Sequence, residues 1–78
     1  MNKKNTAIKD LIYFEPKIFN DERGYFFESF KDKDFDNLDF IQDNESKSKF
    51  GVLRGIHFQK PKYEQSKLVR VIYGKIQD

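Results

Sequence analysis

The sequence predicts a single all-β domain built as a sandwich or barrel, and three observations support this fold class. The hydrophobic period is two over almost the whole chain. Short β-forming segments alternate with polar stretches of turn length. Nine Phe and four Tyr stand among the 78 residues, far more than a disordered tail carries. Residues 1–78 are therefore treated as one domain, with residues 1–10 as a polar, flexible lead-in.

The first half of the chain contains two predicted strands. LIYFEPKIF (11–19) is rich in β-formers, but Pro16 cannot donate a hydrogen bond to a ladder, so the segment is either an edge strand or bends there. NDERG (20–24) ends in glycine and predicts a turn. GYFFESF (24–30) then alternates cleanly between two faces.

One short helix follows these strands. KDKDFDNL (31–38) places Phe35 and Leu38 three residues apart, and Ser29 is a candidate N-cap. DFIQDNES (39–46) begins as a short strand and continues as a polar loop.

The second half contains the remaining strands of the prediction. GVLRGIHFQ (51–59) and KLVRVIYGKIQ (67–77) are alternating and rich in β-formers, and KPKYEQS (60–66) is the loop between them. A sheet that ended after the last strand would expose an unpaired edge. We therefore expect the domain to be the N-terminal part of a longer one.

Composition excludes several classes of protein. The absence of Cys excludes a disulfide framework and a thiolate metal site, and a single His excludes a His-rich metal site. No uncharged run is long enough for a transmembrane helix, and the basic N-terminus lacks the apolar stretch of a signal peptide. A cytoplasmic location with no membrane partner is expected. The net charge of +2 is too small to indicate nucleic acid, and the acidic stretch 32–39 further disfavours a small nucleic-acid-binding barrel.

His57 is the first candidate for chemistry, because histidine has an ordinary pKa of about 6.5 that suits proton transfer near neutrality. Its position in the middle of a predicted strand also fits a half-buried structural histidine that makes one backbone hydrogen bond. Both interpretations remain open at the level of the residues.

Charged residues interleave with apolar ones around this histidine. Arg54 lies three residues before His57, and a β-bulge at Gly55 would turn both side chains inward. On its predicted strand, Lys67 shares a face with two valines, and Glu28 shares a face with two phenylalanines. Each charge alone is explained by solvation, but together they favour a polar-lined cavity.

Two arginines give this cavity a preference for anions. Arg54 and Arg23 carry guanidinium groups, which match phosphate with two hydrogen bonds, although the sequence has no phosphate-binding glycine loop. The stretch of Gln42, Asp43 and Asn44 is most simply a turn.

The order of three segments resembles the dTDP-4-dehydrorhamnose 3,5-epimerase family from about residue 11 to residue 78. These segments are FEPKIFNDERGYFFESF, FIQDNESKSKFGVLRGIHFQ and KLVRVIYGKIQD. The resemblance implies a cupin-like (jelly-roll) β-barrel, of which this chain would be the N-terminal portion with one short helix.

The resemblance also implies roles for individual residues. His57 matches the base that removes the proton alpha to the keto group of dTDP-4-dehydro-6-deoxy-glucose, which leads to inversion at carbons 3 and 5. Lys67 matches a residue that binds substrate and stabilises the enolate. The other matched positions bind substrate: Arg23, Glu28, Gln42, Asp43, Asn44 and Arg54. The family uses no metal and no cofactor, and it forms homodimers by exchange of N-terminal strands.

The chain also departs from the family. A typical member is more than twice as long, and its later half supplies a tyrosine acid and a carboxylate that orients the histidine. Neither has a counterpart among these residues. A non-catalytic sugar-nucleotide-binding module and a degenerate gene product are therefore the alternatives to an active epimerase.

Overall fold

The computed structural model describes residues 1–35 and 37–78. It divides into two units, residues 1–39 and residues 40–78. The described strands are β1 (Asn2–Asn5), β2 (Ile12–Glu15), β3 (Ile18–Asp21) and β4 (Gly24–Phe27). They form two separate two-stranded antiparallel sheets, β1–β2 and β3–β4. The predicted all-β class is therefore confirmed, while the sheets are open and the cupin-like barrel stays a prediction.

The first hairpin joins β1 to β2, with Asn2 opposite Glu15 and Asn5 opposite Ile12. Its loop is closed by Thr6, whose Oγ1 donates to the Leu11 carbonyl at 2.8 Å and accepts from the Ile8 N–H at 3.2 Å. β1 lies inside the segment predicted as a lead-in. Its polar residues do not alternate in the way that indicates a strand. They form a strand because they pair with the apolar β2.

A polar network crosses one face of this hairpin. Glu15 accepts from the Tyr13 hydroxyl at 3.0 Å and pairs with the Lys4 ammonium at 3.0 Å. The hydrogen bond from Lys4, followed by that from Tyr13, lowers the pKa of Glu15. The hydrogen bond to Glu15 in turn raises the pKa of Tyr13. Side-chain contacts therefore supplement the short ladder.

The second hairpin confirms the predicted turn at 20–24. β3 and β4 pair with Asp21 opposite Gly24, so the loop has only two residues. Gly24 has a φ of +136°, which an L side chain rarely adopts. The segment predicted as one strand or a bend at 11–19 is divided at Pro16 into β2 and β3, because proline has no N–H for a ladder.

The predicted helix is a single 3-10 turn, Asp32–Asp34. The prediction that Ser29 caps it is wrong: Lys31 occupies the N-cap, and no side chain bonds the free N–H groups there. Asp36, inside the predicted segment, lies outside the described residues. In the part of the chain that the structure describes, no helix is long and apolar enough to cross a membrane.

Phe35 is the buried hydrophobic residue of the described chain, with 5% of its surface exposed. Its ring centroid is 5.0 Å from that of Phe14 and 5.3 Å from that of Phe30, and it stacks on the latter at 9°. Such aromatic pairs are favourable beyond the area that they bury. This cluster is the core of the first unit.

The second unit, residues 40–78, is described throughout and contains no paired strand. The strands predicted at the start of 39–46, in 51–59 and in 67–77 are therefore absent. Gly51, Gly55 and Gly74 of this unit have φ values of +79°, +144° and +90°, a backbone region that L side chains rarely adopt. Without a ladder, the bulge predicted at Gly55 is absent as well. Every residue from 41 to 78 is exposed.

Candidate functional site

An open depression of about 550 Å³ lies in the second unit. Its lining combines one imidazole, one aromatic ring, two amides and a pair of opposite charges. These residues are His57, Phe58, Gln59, Glu64, Gln65 and Lys67. The depression is not the enclosed cavity that the interleaved charges predicted, because the surrounding apolar residues are exposed rather than packed.

Two residues predicted to carry the chemistry, His57 and Lys67, line this depression together. They come from segments separated by the loop 60–66, which is folded back by a turn in which the Tyr63 N–H donates to the Lys60 carbonyl at 3.0 Å. An imidazole and an ammonium on one surface can supply a base and a positive charge to the same ligand.

Sequence reasoning missed four lining residues, Phe58, Gln59, Glu64 and Gln65. Gln59 could have been found, because strict alternation places it on the same side of its segment as His57. Glu64 and Gln65 lie in a segment that the sequence marks only as a loop. The negative charge of Glu64 on the same surface as Lys67 makes the lining electrically mixed.

Arg54 is held by its own segment. Its Nη2 donates to the Lys47 carbonyl at 2.8 Å, and the Val52 N–H donates to the Lys49 carbonyl at 3.3 Å, closing a turn between these two points. Arg54 is not among the described residues that line the depression with His57. Its guanidinium has other N–H groups that this single bond leaves unused.

The predicted turn of Gln42, Asp43 and Asn44 is also local. Nε2 of Gln42 donates to Oδ1 of Asn44 at 3.3 Å, so the two amides form one polar group. All three residues are exposed, so their polar atoms are accessible to a ligand.

Arg23 and Glu28 belong to the first unit, and each has a partner there. Arg23 Nη2 is 2.7 Å from Oδ2 of Asp21 across the β3–β4 turn. Glu28 follows β4 and pairs more loosely with Lys31, at 3.7 Å. The structure thus brings the predicted residues together in small local groups, and Asp21 is a contact of Arg23 that sequence reasoning did not single out.

No group of three or more His, Asp or Glu residues within residues 1–35 and 37–78 is arranged to hold a metal ion. The histidine, lysine and amides of the depression are donors and acceptors suited to an organic ligand with polar substituents.

Comparison with known proteins finds one family that matches nearly the whole chain. A family model described as dTDP-4-dehydrorhamnose 3,5-epimerase matches residues 5–78. A relative of that name from Shigella flexneri is 51% identical over 100% of this chain and 46% of its own length. Another from Methanothermobacter thermautotrophicus is 51% identical over 94% of this chain and 41% of its own length.

A third relative of the same name, from Escherichia coli strain K12, is 45% identical over 100% of this chain and 45% of its own length. The chain therefore spans less than half the length of the curated relatives that it matches. No solved structure gives a significant match. Because the family model covers nearly all of the sequence, the chain belongs to the dTDP-4-dehydrorhamnose 3,5-epimerase family.

Proposed function

We propose that this chain provides the proton-abstracting part of a dTDP-4-dehydrorhamnose 3,5-epimerase. The observation that carries the proposal is the presence of His57 and Lys67 on one depression, within a chain whose residues 5–78 match that family. The substrate class is a dTDP-linked 4-keto-6-deoxy sugar.

The proposed chemistry needs one base and one cation. A 4-keto group acidifies the C–H bonds at carbons 3 and 5, and His57 removes one of these protons. The C–H electron pair then forms the enolate, whose oxygen is stabilised by the ammonium of Lys67. An acid, which the resemblance places in the later half of the family, then donates a proton to the opposite face, which inverts the carbon and restores the ketone. His57 releases the proton that it took to solvent, and these proton transfers require no metal or nicotinamide cofactor.

The remaining predicted residues bind the substrate in this proposal. The guanidinium groups of Arg23 and Arg54 suit the diphosphate, since each presents a planar set of donors. Amide and carboxylate groups suit the hydroxyls of the sugar and the base edge of the nucleotide. These groups belong to Glu28, Gln42, Asp43 and Asn44.

We further propose that the chain contributes to a cupin-like barrel and that the assembled protein is a homodimer with exchanged N-terminal strands, located in the cytoplasm. The support is energetic. An isolated two-stranded sheet is marginally stable in water, and Tyr25 and Phe26 of β4 are 70% and 69% exposed. Additional strands would cover these aromatic rings.

A non-catalytic sugar-nucleotide-binding module is the second candidate. It is favoured by the absence of tyrosine from the described lining of the depression, because the resemblance assigns the family's proton-returning acid to a tyrosine. Binding would then persist without inversion.

Solvent exchange tests the proposal. The chain is incubated in D2O with dTDP-4-dehydro-6-deoxy-glucose, and deuterium at carbons 3 and 5 is measured by NMR. We expect incorporation that His57→Ala lowers by a factor of about 100 or more. Lys67→Met should also lower it, whereas Lys60→Met removes a charge outside the lining and should not.

Two results would contradict parts of this proposal. Unchanged exchange in His57→Ala would remove the base role of that residue. Saturable dTDP binding that requires Arg54 but is accompanied by no exchange would support the binding module instead.

A further inference from the structure

We propose that Asp21 is a positioning residue, which orders the Arg23 guanidinium at the tip of the β3–β4 hairpin for an anionic ligand. The ligand part of this inference rests on the proposed function, in which Arg23 contacts the diphosphate of a dTDP-sugar. Asp21 itself contacts no ligand in this proposal.

Both carboxylate oxygens of Asp21 serve the same residue. Oδ1 accepts from the Arg23 backbone N–H at 2.8 Å, and Oδ2 accepts from Arg23 Nη2 at 2.7 Å. The first bond fixes the backbone of the two-residue turn, and the second fixes the far end of the side chain. Arg23 is therefore held at both ends by one group.

The contact leaves most of Arg23 open. Its side chain is 86% exposed, whereas that of Asp21 is 49% exposed. A guanidinium has five N–H donors in a rigid fork. Because the side chain contacts Asp21 only through Nη2, the other edge of the guanidinium can donate to an anion. A side chain ordered before binding loses less freedom when the ligand arrives.

The charge state of Asp21 suits this role. The hydrogen bond from the Arg23 side chain, followed by the one from its backbone N–H, lowers the pKa of Asp21. The carboxylate thus remains a charged acceptor at neutral pH, and charged acceptors form the shorter and stronger hydrogen bonds.

A competing role predicts the opposite result. If Asp21 only neutralised Arg23, a phosphate would have to displace it, and removal of the carboxylate would tighten anion binding. If Asp21 positions Arg23, removal of the carboxylate weakens binding although the net charge has become more positive. The sign of the change therefore separates the two roles.

Asp21→Asn is the informative variant, because an asparagine side-chain oxygen can still accept the backbone N–H and keep the turn. Glu22→Gln is the matched control, since it removes the same charge one position along the same turn. The first readout is the NMR order parameter of Arg23 Nε. We expect it to fall in Asp21→Asn and to stay unchanged in Glu22→Gln, with Arg54 as an internal reference.

The second readout is calorimetric titration of the 78-residue chain with dTDP. We expect Asp21→Asn to weaken binding by up to about tenfold and Glu22→Gln to leave it unchanged or slightly tighter. Equal Arg23 order in the wild type and Asp21→Asn, or tighter binding by Asp21→Asn, would overturn the inference. A wild-type chain that does not bind dTDP contradicts the proposed function, while the order of Arg23 still decides whether Asp21 positions it.

Discussion

The two units of the chain have the same kind of sequence but different structures. Both contain alternating, aromatic-rich segments, yet residues 1–39 contain two hairpins and the buried Phe35, whereas residues 40–78 contain no paired strand. Alternation determines which side chains share a face, but a strand exists only when its backbone is paired. In the first unit short loops bring each strand to its partner, whereas no segment of the second unit is paired with another.

The largest expected effect is loss of the first unit on substitution of its core. Phe35→Ala removes the ring that contacts Phe14 and Phe30, and truncation of a buried Phe costs about 3 kcal/mol or more. That exceeds what a two-stranded sheet can supply alone. We expect the cross-strand nuclear Overhauser effects (NOEs) of β1–β2 to disappear from the NMR spectrum.

Phe50→Ala is the matched control for that experiment. Phe50 is a fully exposed phenylalanine of the second unit, so its truncation removes little packing. Equal loss of the β1–β2 NOEs in both variants would contradict the assignment of Phe35 as the core.

A smaller effect is expected at the turn of the second hairpin. Gly24 has a φ of +136° and no atom within 4 Å of an added Cβ, so Gly24→Ala introduces backbone strain without a clash. Such strain costs of the order of 1 kcal/mol. The β3–β4 NOEs should weaken while those of β1–β2 persist.

Gly51→Ala sharpens the comparison between the units. Gly51 has a φ of +79° and similar open space, but it lies where no strands are paired. We expect this variant to leave the NOEs of both hairpins unchanged. Weakening of the β3–β4 NOEs by Gly51→Ala as much as by Gly24→Ala would show that the effect of glycine replacement is not local.

The sequence predicts the first unit better than the second because the signals that define the first unit are local. The turn at 20–24 and the interruption at Pro16 each follow from one residue's backbone chemistry, and both are found. β1 is missed because its polar residues become a strand only through the partner β2. The strands predicted in 51–59 and 67–77 depend on pairing that alternation cannot specify.

The candidate site, like the fold, is predicted from the sequence only in part. His57 and Lys67 stand out as charged or titratable residues on alternating segments, and both line the depression. Glu64 and Gln65 lie in a loop, where no periodicity indicates which way a side chain points. Asp21 is missed because a carboxylate two residues before an arginine is usually just a turn residue.

Acidification should affect the two hairpins through different carboxylates. The pKa of Glu15 is lowered from its ordinary value of 4.5, chiefly by Lys4, and that of Asp21 from 3.8, chiefly by Arg23. A lowered pKa gives stabilisation that is present above the ordinary value and is lost as the pH falls through the folded-state pKa. We expect the NOEs of β1–β2 to weaken as the pH falls below 4.5, and those of β3–β4 to weaken as it falls below 3.8.

Two variants separate these contributions. Glu15→Gln should flatten the acid response of β1–β2 alone, and Asp21→Asn that of β3–β4 alone. If either variant removed the acid response of both hairpins, the two carboxylates would not be acting independently. The NOE intensities of each hairpin, measured across the titration, distinguish these results.

The smallest effect is expected from salt. Lys4 Nζ and Glu15 Oε2 are 3.0 Å apart, but their side chains are 55% and 41% exposed, and exposed ion pairs contribute little to stability. Raising the ionic strength from 0.1 M to 1 M shortens the Debye length from about 10 Å to about 3 Å. The β1–β2 NOEs should therefore weaken slightly in the wild type and not in Glu15→Gln. An equal response in the wild type and in Glu15→Gln would show that the ion pair does not stabilise this hairpin. Phe35 and the backbone ladder would then be the interactions that hold it.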